Sequence, residues 1–171
     1  TFLKGTAAAL AAPMILPASV FGANEKLNIA WIGFGGMGWR DLQACANGNN
    51  VVALADVDPA TWGRAKAAFP QAKFYTDFRV MLEEMGDAID AVGVGTPDHT
   101  HFAPTYMAIS MGKHVFVEKP LVHSIGEART LQELAMQKGV VTQMGNQGHA
   151  SEGARLIKEW YEAGLIGEVR E

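Results

Sequence analysis

The sequence is poor in cysteine, in surplus positive charge and in long apolar runs. Its 171 residues include one cysteine, Cys45, which excludes an intramolecular disulfide framework and a cysteine-rich zinc cluster. With 14 Lys and Arg against 18 Asp and Glu, the net charge is -4, so there is no basic field and we expect no nucleic-acid partner. Cys45 itself is interpreted as a small buried hydrophobic residue rather than a reactive thiol.

The remaining composition is that of an ordinary globular protein. Hydrophobic residues make up 49% and charged residues 19%, with 19 glycines and 7 prolines, which argues against a fibrous or low-complexity chain. Because domains hold roughly 150 residues, the length alone predicts about one domain.

The first 24 residues resemble an export leader. They contain one charged residue, Lys4, followed by an apolar run from Ala7 to Leu16 that Pro13 interrupts. The run is shorter than the ~20 apolar residues that a spanning helix needs, so we expect no stable membrane span. The segment Phe2-Leu3-Lys4 resembles the end of a twin-arginine signal, which predicts export to the periplasm. The alternative for the segment is a disordered or surface-packed N-terminal arm, and the alternative location is the cytoplasm.

From Leu27 onward, short apolar runs alternate with amphipathic stretches. This pattern predicts an α/β fold with a parallel sheet of about six strands. Several runs lack polar alternation, as expected of strands covered on both faces. The predicted strands are Leu27–Ile32, Val51–Ala55, Lys73–Tyr75, Ile89–Val94, His114–Val117 and Val140–Met144.

Helix signals lie between these strands. Asp58 followed by Pro59 predicts a helix start, and Ser124 with Glu127 three residues later predicts a capping box. Two apolar stripes at helical spacing are predicted to face the core. One stripe is Phe102, Tyr106 and Ile109, and the other is Ile157, Trp160 and Tyr161.

A G-x-G-x-x-G motif follows the first predicted strand, at residues 33–38, and leads into a helical stretch. In this context Gly33 permits a tight turn, Gly35 lets the backbone approach a pyrophosphate, and Gly38 allows close packing of helix on strand. Asp56 ends the next strand 23 residues after Gly33, near the ~20 expected for an acid that binds the adenosine ribose. The motif therefore predicts a doubly wound Rossmann domain that binds a dinucleotide.

The residues around the ribose position favour NAD as the cofactor. A carboxylate at Asp56 would repel a 2′-phosphate, whereas Arg64 nearby keeps NADP as the minor alternative. Asp58 competes for the ribose, but Pro59 after it favours a capping role. A methyltransferase could also use a glycine-rich turn with an acid after the second strand.

Polar residues follow three later strands, in the segments 95–97, 118–120 and 146–147. Because ligands bind at the carboxyl edge of an open parallel sheet, Lys119 is predicted to lie near the cofactor. Its ammonium can stabilise a developing alkoxide or relay a proton beside a nicotinamide. A structural ion pair with Glu118 is the alternative role.

The histidines form no metal-binding pattern. His99 and His101 are two residues apart, but neither an H-E-x-x-H pattern nor a cysteine cluster accompanies them, so no metal site is predicted. His149 could reach a substrate, although a loop histidine is more often solvated. His114 and His123 flank a strand and are interpreted as structural.

Two segments resemble the glucose–fructose oxidoreductase, inositol dehydrogenase and rhizopine-catabolism family. Residues 96–101 are similar to its T-P-x-x-x-H motif, and residues 112–120 to its G-K-H-V-x-x-E-K-P motif. The resemblance covers Asn28 to the end of the chain. It implies that Lys119 acts in the active site before a cis proline, and that Thr96, Pro97 and His101 line the nicotinamide end of the cleft.

The motifs and the resemblance together define the candidate site. The predicted catalytic residues are Lys119 and His101. The predicted cofactor-binding residues are Gly33, Phe34, Gly35, Gly36, Met37, Gly38, Asp56, Thr96, Pro97, His101, Glu118 and Lys119.

The resemblance also implies a second α+β domain that completes the substrate pocket and often forms an oligomer interface. We therefore expect an export leader at 1–24, a dinucleotide-binding domain at 25–150, and at 151–171 a linking helix and the start of the second domain, which this fragment lacks. The segment 145–149 departs from the arginine-containing segment of many relatives and resembles that of exported members.

The expected activity is an NAD(P)-dependent oxidoreductase that moves hydride to or from a sugar, polyol or related carbohydrate, as a homo-oligomer. The alternatives are cofactor-recycling glycoside cleavage within the same family, or a dinucleotide-binding module without catalysis.

Overall fold

A computed structural model describes residues 26–168 of the chain. The predicted export leader lies outside the described residues, as do residues 169–171 of the expected second domain. Within the described range, no helix is both long and apolar enough to cross a membrane.

The centre of the part that the structure describes is a parallel sheet of six strands in the order β3-β2-β1-β4-β5-β6. This is the order of a doubly wound dinucleotide-binding fold, so the predicted fold class is confirmed. The strands are β1 Asn28–Ile32, β2 Asn50–Ala55, β3 Lys73–Tyr75, β4 Ala91–Val94, β5 His114–Glu118 and β6 Thr142–Gly145.

In the same part of the chain, six α-helices and four short 3₁₀ turns connect and flank the strands. The helices are α1 Gly36–Ala46, α2 Trp62–Ala68, α3 Phe78–Met85, α4 Phe102–Ser110, α5 Ile125–Lys138 and α6 Glu152–Glu162. The 3₁₀ turns are Pro59–Thr61, Gly86–Ala88, Asp98–Thr100 and Gln147–Ala150.

The predicted helix starts are confirmed by their hydrogen bonds. The Asp58 carboxylate accepts the Ala60 N–H at 2.9 Å, although it caps the 3₁₀ turn that precedes α2 rather than α2 itself. At α5 both halves of the capping box are present, because Ser124 accepts the Glu127 N–H while the Glu127 carboxylate accepts the Ser124 N–H.

The core has two layers, one on each face of the sheet, because alternate side chains of a strand point to opposite faces. Trp31 of β1 is buried with Leu42 of α1 and Ala65 of α2. Its neighbours along the chain, Ala30 and Ile32, are buried on the other face in a cluster that includes residues of α3, α4 and α5. Helices therefore cover both faces of the sheet, as the non-alternating strand pattern predicted.

The two predicted apolar stripes behave differently. In α4, Ile109 is buried and Phe102 is partly buried, but Tyr106 is 42% exposed, so this prediction is correct only in part. The prediction that the α6 stripe faces the core is wrong for the described residues, because Ile157, Trp160 and Tyr161 are 60%, 46% and 58% exposed. The apolar face of α6 exists, but residues 26–168 do not cover it.

Candidate functional site

The glycine-rich turn joins β1 to α1 at the point where the strand order reverses. Gly33 has φ +77°, and a Cβ at this position would lie 2.7 Å from the Thr96 backbone nitrogen. A Cβ on Gly38 would overlap the Gly33 carbonyl oxygen and would lie 3.0 Å from that of Gly95. Three segments therefore meet too closely for side chains, which explains why glycine occupies both positions.

The amino end of α1 is open toward solvent. A Cβ built on Gly35 or on Gly36 would meet no atom within 4 Å. The first turn of α1 contains no acidic residue, and its N-cap, Gly35, provides no side-chain cap. The free N–H groups and the positive end of the helix dipole therefore fit an anion such as a pyrophosphate.

The backbone of Phe34 is held at both its N–H and its carbonyl group. Its N–H donates to Asp56 Oδ2 at 2.9 Å, and its carbonyl oxygen accepts from Arg64 Nη2 at 2.7 Å. The other Asp56 oxygen accepts the Asp58 N–H at 2.9 Å. The Arg64 guanidinium lies 4.5 Å from the centroid of the Trp39 ring. Asp56 keeps free lone pairs for a ribose hydroxyl, since each carboxylate oxygen has two.

A cavity of about 1010 Å³ runs along the carboxyl edge of the sheet from the glycine turn to the end of β5. The structure brings most of the predicted site residues to its wall. These are Gly33, Gly35, Met37, Gly38, Asp56, Thr96, Pro97, Glu118 and Lys119. Three predicted residues are not on this wall: Gly36, Phe34 and His101. The Phe34 side chain is fully buried in the core, so only its backbone faces the turn.

His101 does not have the position that a catalytic residue needs. Its ring is fully buried, with Nδ1 2.6 Å from the Pro120 carbonyl oxygen and Nε2 2.8 Å from that of Thr96. A side chain with no exposed surface and both nitrogens engaged cannot exchange a proton with a ligand in the cavity. The predicted catalytic role of His101 therefore does not agree with the structure, and we assign this residue to joining two loops that border the cavity.

Lys119 is exposed on the cavity wall, and its peptide bond to Pro120 is cis, as the resemblance implies. The ion pair with Glu118 that was the alternative role does not form among the described residues. Their ion pairs join Arg79 to Asp77 and Lys158 to Glu162. The Glu118 carboxylate accepts the backbone N–H of Lys119 at 3.0 Å instead, so the ammonium is left to act on a ligand.

Sequence reasoning missed Asp41, which lies on α1 one turn after Gly38 and is 8% exposed. Burial, the charge of Glu118 and a hydrogen bond with Glu118 raise the pKa of Asp41 from 3.8 to about 6, and a hydrogen bond from Gln147 opposes them. A signal existed in the sequence, because Asp41 stands beside Leu42 on the core-facing side of a helix, where a carboxyl group is rare.

Three other residues that the sequence pointed to, Cys45, His114 and His149, do not line the cavity. Burial raises the pKa of the Cys45 thiol, with a smaller contribution from Asp41, which agrees with an inert cysteine. His114 Nδ1 accepts the Val141 N–H at 2.9 Å and so joins β5 to the segment before β6. His149 is exposed in the Gln147–Ala150 turn. Among residues 26–168, no three His, Cys, Asp or Glu side chains converge as metal ligands.

Several known proteins of similar sequence and structure are named as dehydrogenases. The inositol 2-dehydrogenase of Klebsiella pneumoniae is 33% identical over 148 residues, which cover 83% of this chain and 43% of that protein. Scyllo-inositol dehydrogenase from Lactobacillus casei, solved with NAD(H) and scyllo-inositol, superposes with a TM-score of 0.71 at 26% identity, covering 84% of this chain and 43% of that one.

A third relative has a different ligand. The WlbA dehydrogenase from Thermus thermophilus, solved with NAD and UDP-GlcNAcA, has a TM-score of 0.71 at 28% identity, covering 78% of this chain and 46% of that one. The chain thus spans less than half the length of these relatives. The model of the oxidoreductase family with an NAD-binding Rossmann fold, named for Gfo, Idh and MocA, matches residues 27–146, and the chain belongs to this family.

Proposed function

We propose that the protein is an NAD-dependent dehydrogenase that acts on a CH–OH group of a polyol, sugar or related carbohydrate. The observation that carries the proposal is the continuity of one cavity. The same wall contains an anion-binding turn at Gly35, a ribose acceptor at Asp56 and a free ammonium at Lys119.

The contacts around Asp56 support NAD over NADP. Its carboxylate lies beside the turn and would repel a 2′-phosphate at the ribose. Arg64 is the nearby cation, but its guanidinium already donates to the Phe34 carbonyl and lies on the Trp39 ring. This contact fixes the guanidinium under the turn, so we assign Arg64 to stabilising the loop rather than to binding a phosphate.

Lys119 is the proposed acid/base group. NAD supplies a hydride acceptor when it is bound. The Lys119 ammonium would stabilise negative charge on the substrate oxygen or accept its proton, which is the contribution of a general acid–base residue. Glu118 would hold the Lys119 backbone in place through the 3.0 Å hydrogen bond to its N–H.

The substrate class is proposed from the named ligands of the relatives, which are an inositol in one structure and a UDP-sugar acid in another. The second domain that completes the pocket, the homo-oligomer and the export route remain part of the proposal. Residues 26–168 contribute the cofactor side of the cleft.

Turnover by the full-length protein tests this function. A panel of polyols, sugars and glycosides is incubated with NAD, and NADH absorbance and released aglycone are followed. Dehydrogenation gives NADH without aglycone, whereas aglycone without net NADH would indicate cofactor-recycling glycoside cleavage instead. A protein that binds no NADH and turns over no substrate would refute the proposal.

The role of Lys119 is tested by Lys119→Ala. We expect a loss of about 100-fold in kcat, the usual contribution of a general acid–base group, with little change in the NADH dissociation constant. Lys113→Ala is the matched control, because Lys113 lies before the opposite, amino-terminal end of the same strand. An unchanged kcat in Lys119→Ala would remove this residue from the reaction.

A further inference from the structure

The Glu118 carboxylate is held from several sides at the end of β5. Oε2 accepts the Lys119 N–H at 3.0 Å, and Oε1 accepts from Gln147 Nε2 at 2.7 Å. Gly145, the partner of Glu118 in β6, leaves the space that this carboxylate fills, because a Cβ there would lie 2.6 Å from Oε1. Glu118 is 6% exposed, so its carboxylate depends mainly on these protein partners for hydrogen bonds.

The same Gln147 nitrogen holds a second carboxyl group. Nε2 also donates to Asp41 Oδ1 at 3.1 Å, so one amide group bridges two acids that are 77 residues apart in the chain. Asp41 Oδ2 receives no N–H or O–H from the described residues. Two adjacent carboxylates repel each other in a buried site, and an amide that donates one proton to each offsets this repulsion.

We propose that Gln147 is a positioning residue for Lys119, acting through Glu118, with Asp41 as the second anchor of the same amide. The proposal rests on the proposed function only in taking Lys119 as the group that acts on the substrate. Loss of the amide leaves Glu118 and Asp41 to repel each other. Glu118 then moves, and the Lys119 N–H loses the acceptor that fixes the backbone before Pro120.

Gln147→Met in the full-length protein tests this chain of contacts. Methionine keeps the length of the side chain and removes both N–H donors. Because a small misplacement of a reacting group is costly, we expect roughly a 10-fold lower kcat, with KM and the NADH dissociation constant changed less than about twofold. Gln143→Met is the matched control, since Gln143 is also exposed and donates only to the Met144 carbonyl.

A readout at Lys119 itself separates positioning from general stability. In ¹H–¹⁵N spectra, Gln147→Met should shift the Lys119 amide signal upfield and speed its hydrogen exchange roughly 10-fold, because a charge-assisted hydrogen bond is lost. Gln143→Met should leave both unchanged. This measurement does not depend on turnover, so it tests the proposal even if no substrate is found.

Rescue provides the decisive comparison. In the double variant Asp41→Asn with Gln147→Met, the new amide can donate to Glu118 from the other side and the repulsion is gone. We expect the Lys119 amide signal, and kcat, to return toward the wild-type values. If Gln147→Met unfolds, Gly145→Ala displaces Glu118 from the opposite side and should shift the same signal.

Two results would overturn the proposal: a Lys119 amide that exchanges at the wild-type rate in folded Gln147→Met, or a double variant as impaired as the single one. A wild-type protein that binds no NADH and turns over no substrate would instead refute the proposed function and leave the exchange result standing.

Discussion

Gly38→Ala tests the close contact on which the dinucleotide-binding turn depends. The new Cβ would overlap the Gly33 carbonyl oxygen and lie 3.0 Å from the Gly95 carbonyl oxygen. Both neighbours are backbone atoms, which cannot rotate away as a side chain can. The amino end of α1 must therefore move away from the ends of β1 and β4, and the anion-binding N–H groups move with it.

The magnitude follows from two opposing terms. An alanine in a helix gains about 0.5–1 kcal/mol over glycine, while overpacking costs about 1–3 kcal/mol. We expect Gly38→Ala to lower the free energy of unfolding by about 1–2 kcal/mol and to weaken NADH binding about 10-fold. Gly63→Ala is the matched control, because Gly63 also lies in the first turn of a helix but a Cβ added there would meet no atom within 4 Å.

Urea denaturation and titration with NADH measure both quantities on the same samples. Gly63→Ala should be as stable as the wild type or more so, and should bind NADH with wild-type affinity. If Gly38→Ala matches Gly63→Ala in stability and in NADH affinity, the turn has room for a side chain and the packing argument is refuted.

Two further predictions concern buried polar groups. The pKa of Asp41 is raised from 3.8 to about 6, so the folded state holds this proton between about pH 4 and pH 6 while the unfolded chain releases it. As the pH rises through this window, the wild-type free energy of unfolding should therefore fall by about 1–3 kcal/mol more than that of Asp41→Asn. Urea denaturation at stepwise pH measures both; if the two free energies changed with pH in parallel, the reasoning would be refuted. His101→Leu removes the imidazole that lies between the Thr96 and Pro120 carbonyl groups, so a hydrogen bond to one of these oxygens is lost, and it should cost about 1–3 kcal/mol. Wild-type stability in this variant, measured by the same denaturation, would contradict a joining role.

The fold was predictable because its signals are local. Most strands of the sheet are short apolar runs, although β3 and β6 also contain polar residues. The six observed strands begin and end within about two residues of the predicted bounds. The glycine turn was predictable because its G-x-G-x-x-G motif is local, although part of the close contact at Gly33 and Gly38 comes from residues 95 and 96 after β4. Exposure of the α6 face was not predictable, because helical spacing shows that a face is apolar but not what covers it.

The candidate site was predictable only where a motif fixes the backbone. The spacing around Thr96 places a histidine at position 101, but it does not reveal that the ring turns inward to two carbonyl groups. The link from Asp41 to Gln147 spans 106 residues and arises from the crossing of α1 with the end of β5 and the turn after β6. Such a contact has no signature in sequence spacing.

The two hydrogen bonds to the Phe34 backbone have a consequence for how the cofactor binds. Asp56 and Arg64 fix the backbone of this residue within the folded protein, before any ligand arrives. Ordering one backbone residue costs roughly 1–2 kcal/mol in conformational entropy. Here that entropy is lost when the protein folds and not when the ligand binds. The turn should therefore release a bound dinucleotide slowly, as a rigid receptor does, and its dissociation rate should rise when either side chain is removed.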